Sequence, residues 1–216
     1  TLSPAGRPSG APSPEAIAAN AAAGFSSAVG NRGRGATGET TTQDGNGVDL
    51  QPSPLSSLDV YAPKDATRAP VIIFIHGGGW RNGDKSNPGV GAQPASHFCA
   101  EAFVFVSINY RLTPAGKHPA NIQDVAKAVA WVHDHIAEHG GDPAQINIMG
   151  HSVGAHLTAL LATDETRLKA EGKPLSILKR AVLLDTAAYD IPRYLKEFRE
   201  GGGASPMRPL YANAFG

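Results

Sequence analysis

Gly150-His151-Ser152-Val153-Gly154 sets one serine between two glycines, the spacing G-x-S-x-G. The chemistry this suits is nucleophilic attack on an acyl carbon. A serine on a sharp strand-to-helix turn stands exposed, and the helix start brings backbone N–H groups and a positive dipole end beside its hydroxyl. The glycines matter because such a turn crowds the neighbouring backbone. Five residues alone are a weak signal, and a glycine-bounded turn with a solvent-facing serine also fits them. The flanks favour chemistry. Gln145-Ile146-Asn147-Ile148-Met149 reads as a strand, and a helix rich in Ala and Leu runs from Val153 to about Ala162.

A second motif, His76-Gly77-Gly78-Gly79-Trp80, follows the apolar run Val71–Ile75. Three glycines leave backbone N–H groups unshielded. Acyl transfer needs such donors aimed at the developing oxyanion, each worth about 3 kcal/mol. Gly78, Gly79 and Val153, the residue after the serine, are the candidate donors. Alone, the loop also fits a tight turn or a phosphate cradle. It lacks the Lys-Ser/Thr ending of a P-loop and the spacing of a dinucleotide fingerprint. Two such loops, each after its own strand, point to one site.

The elements that must position these loops are legible from periodicity. Leu58–Tyr61 alternates, Val71–Ile75 is a continuous apolar run rich in β-branched residues, and Val104–Ile108, with Ser107 within it, repeats the signature, as in strands buried on both faces. Ile122, Val125, Val129, Val132 and Ile136 mark one face of a helix that begins after Pro119 and stops at Gly140-Gly141. Ala181–Leu184 is a further strand. The alternation predicts an α/β fold with a mostly parallel sheet and helices on both faces.

Composition bounds the rest. Of the first 54 residues, 15 are Gly or Pro and few are long and apolar, so residues 1–54 are expected to be a low-complexity, disordered segment ahead of a domain over 55–216. Nineteen Lys and Arg balance nineteen Asp and Glu. That balance argues against nucleic acid and against a polybasic membrane surface. No apolar run is long enough to span a membrane. The single cysteine, Cys99, excludes an internal disulfide and a cysteine-based zinc site.

Of the eight histidines only His156 follows Ser152. It lies one helical turn on and is expected to face the packing. His135 and His139 have metal-ligand spacing, but without a third ligand they read as a solvated helix face. Asp124 is expected to pair with Arg111. Asp185, at the end of a strand after the nucleophile, is a candidate for the acid of a triad or a cap for the loop that follows it.

The chain resembles α/β-hydrolases of the carboxylesterase type that carry an HGGG loop, close to bacterial feruloyl and acetyl-xylan esterases and to kynurenine formamidase. The likeness rests on His76–Lys85, Asn109-Tyr110-Arg111-Leu112, His118-Pro119-Ala120 with Asp124, Gly140–Pro143, Gly150–His156 and Leu184–Asp190. It implies the α/β-hydrolase fold, Ser152 as nucleophile, and His76 and His151 as loop-shaping residues rather than the base. Val153 stands where such proteins often carry Ala, and its branched side chain is expected to narrow the acyl pocket. The triad order Ser, Asp or Glu, His implies that the sheet is incomplete at the C-terminus and that the catalytic His is not in this chain. The 216 residues alone are then expected to turn over little ester. The implied partner is a small-molecule ester, with no metal or organic cofactor. A formamidase-type amidase uses the same machinery. A non-catalytic binding protein is the reading from another class, and the intact serine turn and glycine loop speak against it. A low-complexity start is compatible with export, to periplasm or medium, and with the cytoplasm.

Overall fold

The computed structural model describes residues 42–43, 45–49, 57–87, 92–186, 189–200 and 207–215. All belong to one unit, Ala36–Gly216. The strands are β1 (Thr42–Gln43), β2 (Gly45–Asp49), β3 (Ser57–Tyr61), β4 (Ala69–Ile75), β5 (Val104–Ile108), β6 (Gly141–His151) and β7 (Leu178–Leu184). The helices are α1 (Ala92–Ala100), α2 (Ala120–His135), α3 (Val153–Thr163), α4 (Glu165–Ala170), α5 (Ile191–Glu200) and α6 (Arg208–Phe215).

Among the described residues the strands form one sheet in the order β1-β2-β3-β5-β4-β6-β7. β5, β4, β6 and β7 run parallel, while β1, β2 and β3 add an antiparallel edge, β3 pairing antiparallel with β5. The chain leaves β4 toward one side to make β5 and returns to the other side to make β6. The carboxyl end of β4 is therefore a topological switch point, where open α/β sheets place their ligands. Both glycine motifs end up there, one after β4 and one after β6.

The continuous apolar runs are strands covered on both faces, as expected. Val71, Ile73 and Ile75 pack with Val104, Val106, Ile108, Ile146 and Ile148 beneath α2 and α3. Ile72, Phe74 and Phe105 point the other way, where Ala95 and Phe98 of α1 cover them. Alternation of side chains across the pleat is what sends neighbours to opposite layers. The predicted stripe of α2 is buried: Ile122, Val125, Val129, Val132 and Ile136 have no exposed surface. The helix tightens into a 3₁₀ turn, Ile136–His139, and stops at Gly140 with φ 78°. As expected, Arg111 grips Asp124 with two bonds of 2.7 Å, Nε to Oδ2 and Nη2 to Oδ1.

Gly45–Asp49, within the stretch expected to be low-complexity, pairs antiparallel with β3, Val48 opposite Leu58. Strand pairing uses backbone groups alone, so a segment poor in apolar side chains still adds to a sheet edge. Residues 1–41 lie outside the described residues. At the opposite edge, β7 leaves Val182, Leu183 and Leu184 exposed by 41%, 42% and 39%.

Candidate active site

Ser152 joins β6 to α3 with φ 55° and ψ −117°. This region is populated almost only by glycine and costs about 1–3 kcal/mol for other residues. The turn is held by backbone bonds. The Ser152 amide donates to the Leu184 carbonyl of β7 at 2.8 Å, and the Ser152 carbonyl accepts from Ala155 and His156 at 3.0 and 3.2 Å. Both flanking glycines are required by close approach. A methyl on Gly154 would lie 1.9 Å from the Ile75 carbonyl oxygen, and one on Gly150 would lie 2.1 Å from the Gly154 carbonyl oxygen. The first turn of α3 therefore rests directly on the end of β4. The amides of Val153 and Gly154, first in the helix, precede those that bond the Ser152 carbonyl and have no acceptor within the helix. The side chain of Val153 is 3% exposed and joins the core under the helix.

The loop after β4 packs against this turn. A methyl on Gly77 would sit 3.1 Å from Ser152 Cβ and 3.0 Å from the His151 carbonyl oxygen. Gly78 and Gly79 take φ values of 114° and 63°, and Trp80 follows at 58°. The Gly78 carbonyl accepts from Arg81 and Asn82, closing a tight turn. His76 is buried beneath it. Its ring stacks on Tyr110 at 4.5 Å, its Nδ1–H donates to the Gly77 carbonyl at 2.7 Å, and the Tyr110 hydroxyl donates to the His76 carbonyl at 2.9 Å. Burial holds His76 below the usual imidazole range, so it is neutral near pH 7.

Beyond the glycines, Asp84 and Lys85 fasten the loop to the sheet. Asn109 is the hinge of this network: its Oδ1 accepts from the Lys85 amide at 2.7 Å and its Nδ2 donates to Asp84 Oδ2 at 3.0 Å. The Lys85 ammonium pairs with Asp59 of β3. Burial pushes Asp84 up, but hydrogen bonds from Ser86 and Asn109 outweigh it and hold this carboxyl below the usual range. A depressed folded pKa stabilises the fold above the unfolded value, about 3.9, and the contribution is lost as pH falls through the folded value. Asp84→Asn is therefore expected to flatten the fall in Tm below about pH 4. An acid limb of the Tm–pH curve identical to that of the parent would refute it.

The remaining candidates are spread out. Asp185 follows the Leu184 carbonyl that binds Ser152. It has φ 51°, is exposed, and makes no ion pair among the described residues. His156 is buried against Trp80 and Phe215 at 5.8 and 5.6 Å, as its helical position implies. His135 donates Nδ1–H to the Trp131 carbonyl at 2.9 Å and stacks on Trp131. Among the described residues no histidine ring is hydrogen-bonded to the Ser152 hydroxyl, and no group of three His, Cys, Asp or Glu side chains is set to hold a metal. No helix among them is long and apolar enough to cross a membrane.

Sequence reasoning missed α6. Tyr211 and Phe215 close on Trp80 at 5.1 and 5.3 Å, and the Leu210 side chain lies against Gly79. The nearest sequence signal was two aromatics four residues apart after the last predicted strand.

The chain is similar to known proteins. The family described as BD-FAE matches residues 58–183. Esterase LipQ of Mycobacterium tuberculosis is 44% identical over 110 residues, 49% of this chain and 25% of LipQ. Esterase LipC of the same organism is 37% identical over 122 residues, 55% of this chain and 30% of LipC. The chain thus matches less than a third of the length of these relatives. A Pyrobaculum calidifontis esterase structure superposes with a TM-score of 0.53 at 26% identity, covering 74% of this chain and 52% of that one. The serine turn and glycine loop at the ends of β6 and β4 lie within the matched span, and the chain belongs to the BD-FAE family of α/β-hydrolase, carboxylesterase-like proteins.

Proposed function

We propose that the protein is a serine hydrolase of carboxylic esters. Ser152 Oγ attacks the ester carbonyl carbon while its proton passes to a histidine base. The carbonyl π electrons move to oxygen, where the amides of Gly78, Gly79 and Val153 hold the oxyanion. Collapse breaks the bond to the alcohol oxygen, which takes the proton from the base and departs. The acyl group stays on Ser152 until water, activated by the same base, releases the acid. Asp185 is the candidate for orienting that base. The reading needs a histidine within reach of Ser152, a contact that none of the eight makes here.

The observation that carries the reading is the approach of the two loops, with Gly77 and the Ser152 side chain in contact. The names of LipQ and LipC, both esterases, favour esters over formamides. The test is covalent. Treated with an alkyl fluorophosphonate, the full-length protein is expected to carry one phosphonyl group, on the peptide containing Ser152. The Ser152→Ala protein is expected to carry none. Labelling at another residue, or none, would overturn the proposal.

A further inference from the structure

We infer that Leu210 is a positioning residue for the oxyanion loop, an inference that rests on the serine-hydrolase reading. Leu210 belongs to α6, far along the chain from both glycine motifs. A methyl on Gly79 would meet Leu210 Cδ1 at 3.0 Å and Cδ2 at 3.4 Å, so the leucine fills the space left by the absent side chain. Gly79 and Trp80 are consecutive left-handed residues, at φ 63° and 58°. An indole in that conformation persists only where its surroundings hold it. Here Trp80 is 1% exposed, with Tyr211 and Phe215 of α6 edge-on to its ring. The far end of α6 is tied down as well, the Ala214 carbonyl accepting from the His118 amide at 2.8 Å. α6 thus grips Gly79 and Trp80 together, through apolar contacts that involve no reacting group.

The consequence is catalytic because the Gly79 amide is a candidate oxyanion donor. Such a donor acts on charge present in the transition state and absent from bound ester, so disturbing its aim lowers kcat and spares KM. A misplacement of about 1 Å costs on the order of 10²-fold. In the full-length protein, assayed on p-nitrophenyl acetate well below Tm, Leu210→Ala is expected to lower kcat by about 10- to 100-fold, with KM within about twofold. Leu210→Met, flexible and of similar volume, is expected to restore kcat to within about threefold. A kcat for Leu210→Ala equal to that of the parent would overturn the inference. So would a raised KM at unchanged kcat, which marks a pocket wall. Turnover that survives Ser152→Ala would overturn the serine-hydrolase reading itself, and the inference with it.

Discussion

Ser152→Ala is expected to lower kcat on a short-chain aryl ester by about 10⁶-fold in the full-length protein, the loss seen when a serine nucleophile is removed from a complete triad. The residual rate comes from ester held beside the oxyanion donors. Stability is expected to stay within about 0.5 kcal/mol. Ser152 is tied to the fold by its backbone: its amide bonds Leu184, and its carbonyl bonds Ala155 and His156. The hydroxyl has no hydrogen-bonding partner among the described residues. Steady-state kinetics and thermal unfolding of one purified pair decide the matter. A kcat within tenfold of the parent would move the nucleophile elsewhere.

Gly154→Ala is expected to have the opposite profile, a collapse of stability that takes activity with it. The new methyl would stand 1.9 Å from the Ile75 carbonyl oxygen and 2.8 Å from that of His76. The Ile75 carbonyl cannot retreat, because Ile75 is paired with Ile108 on one side and Gly150 on the other. α3 must lift off the sheet instead. A cost of about 3–5 kcal/mol is expected, a large part of the 5–15 kcal/mol that holds a typical domain folded. Gly172→Ala is the control, with φ 71° and open space around it, and is expected to cost about 1 kcal/mol. Urea unfolding measures both. If Gly154→Ala unfolds at the parent's urea midpoint, the contact between α3 and β4 is not what holds the turn.

The central sheet was readable because its signal is intrinsic. Val71–Ile75 is apolar at every position and Val104–Ile108 at every position but Ser107, a pattern that burial on both faces explains. The stripe of α2 repeats over enough turns to leave no alternative. The edges were not readable. Gly45–Asp49 offers a partner strand its backbone, and backbone has no compositional signature. α1, with the sequence Ala-Gln-Pro-Ala-Ser-His-Phe-Cys-Ala, carries no clean period, and its place is set by the Phe74 and Phe105 rings it covers. At the site, the sequence supplied the two glycine loops, and local spacing was enough to join each to its strand. It did not supply Leu210 against Gly79, a contact across more than 130 residues that depends on how α6 folds back.

The close approach of Gly150 and Gly154 to carbonyl oxygens also bears on how such sequences diverge. A lineage released from catalysis would keep both glycines, since the fold demands them whatever the protein does. It would be free to exchange Ser152, whose hydroxyl the fold does not use. In a set of related genes, the two glycines record descent and architecture. If Ser152 is the nucleophile proposed here, the serine between them is the letter of the motif whose loss or retention reports on selection for turnover.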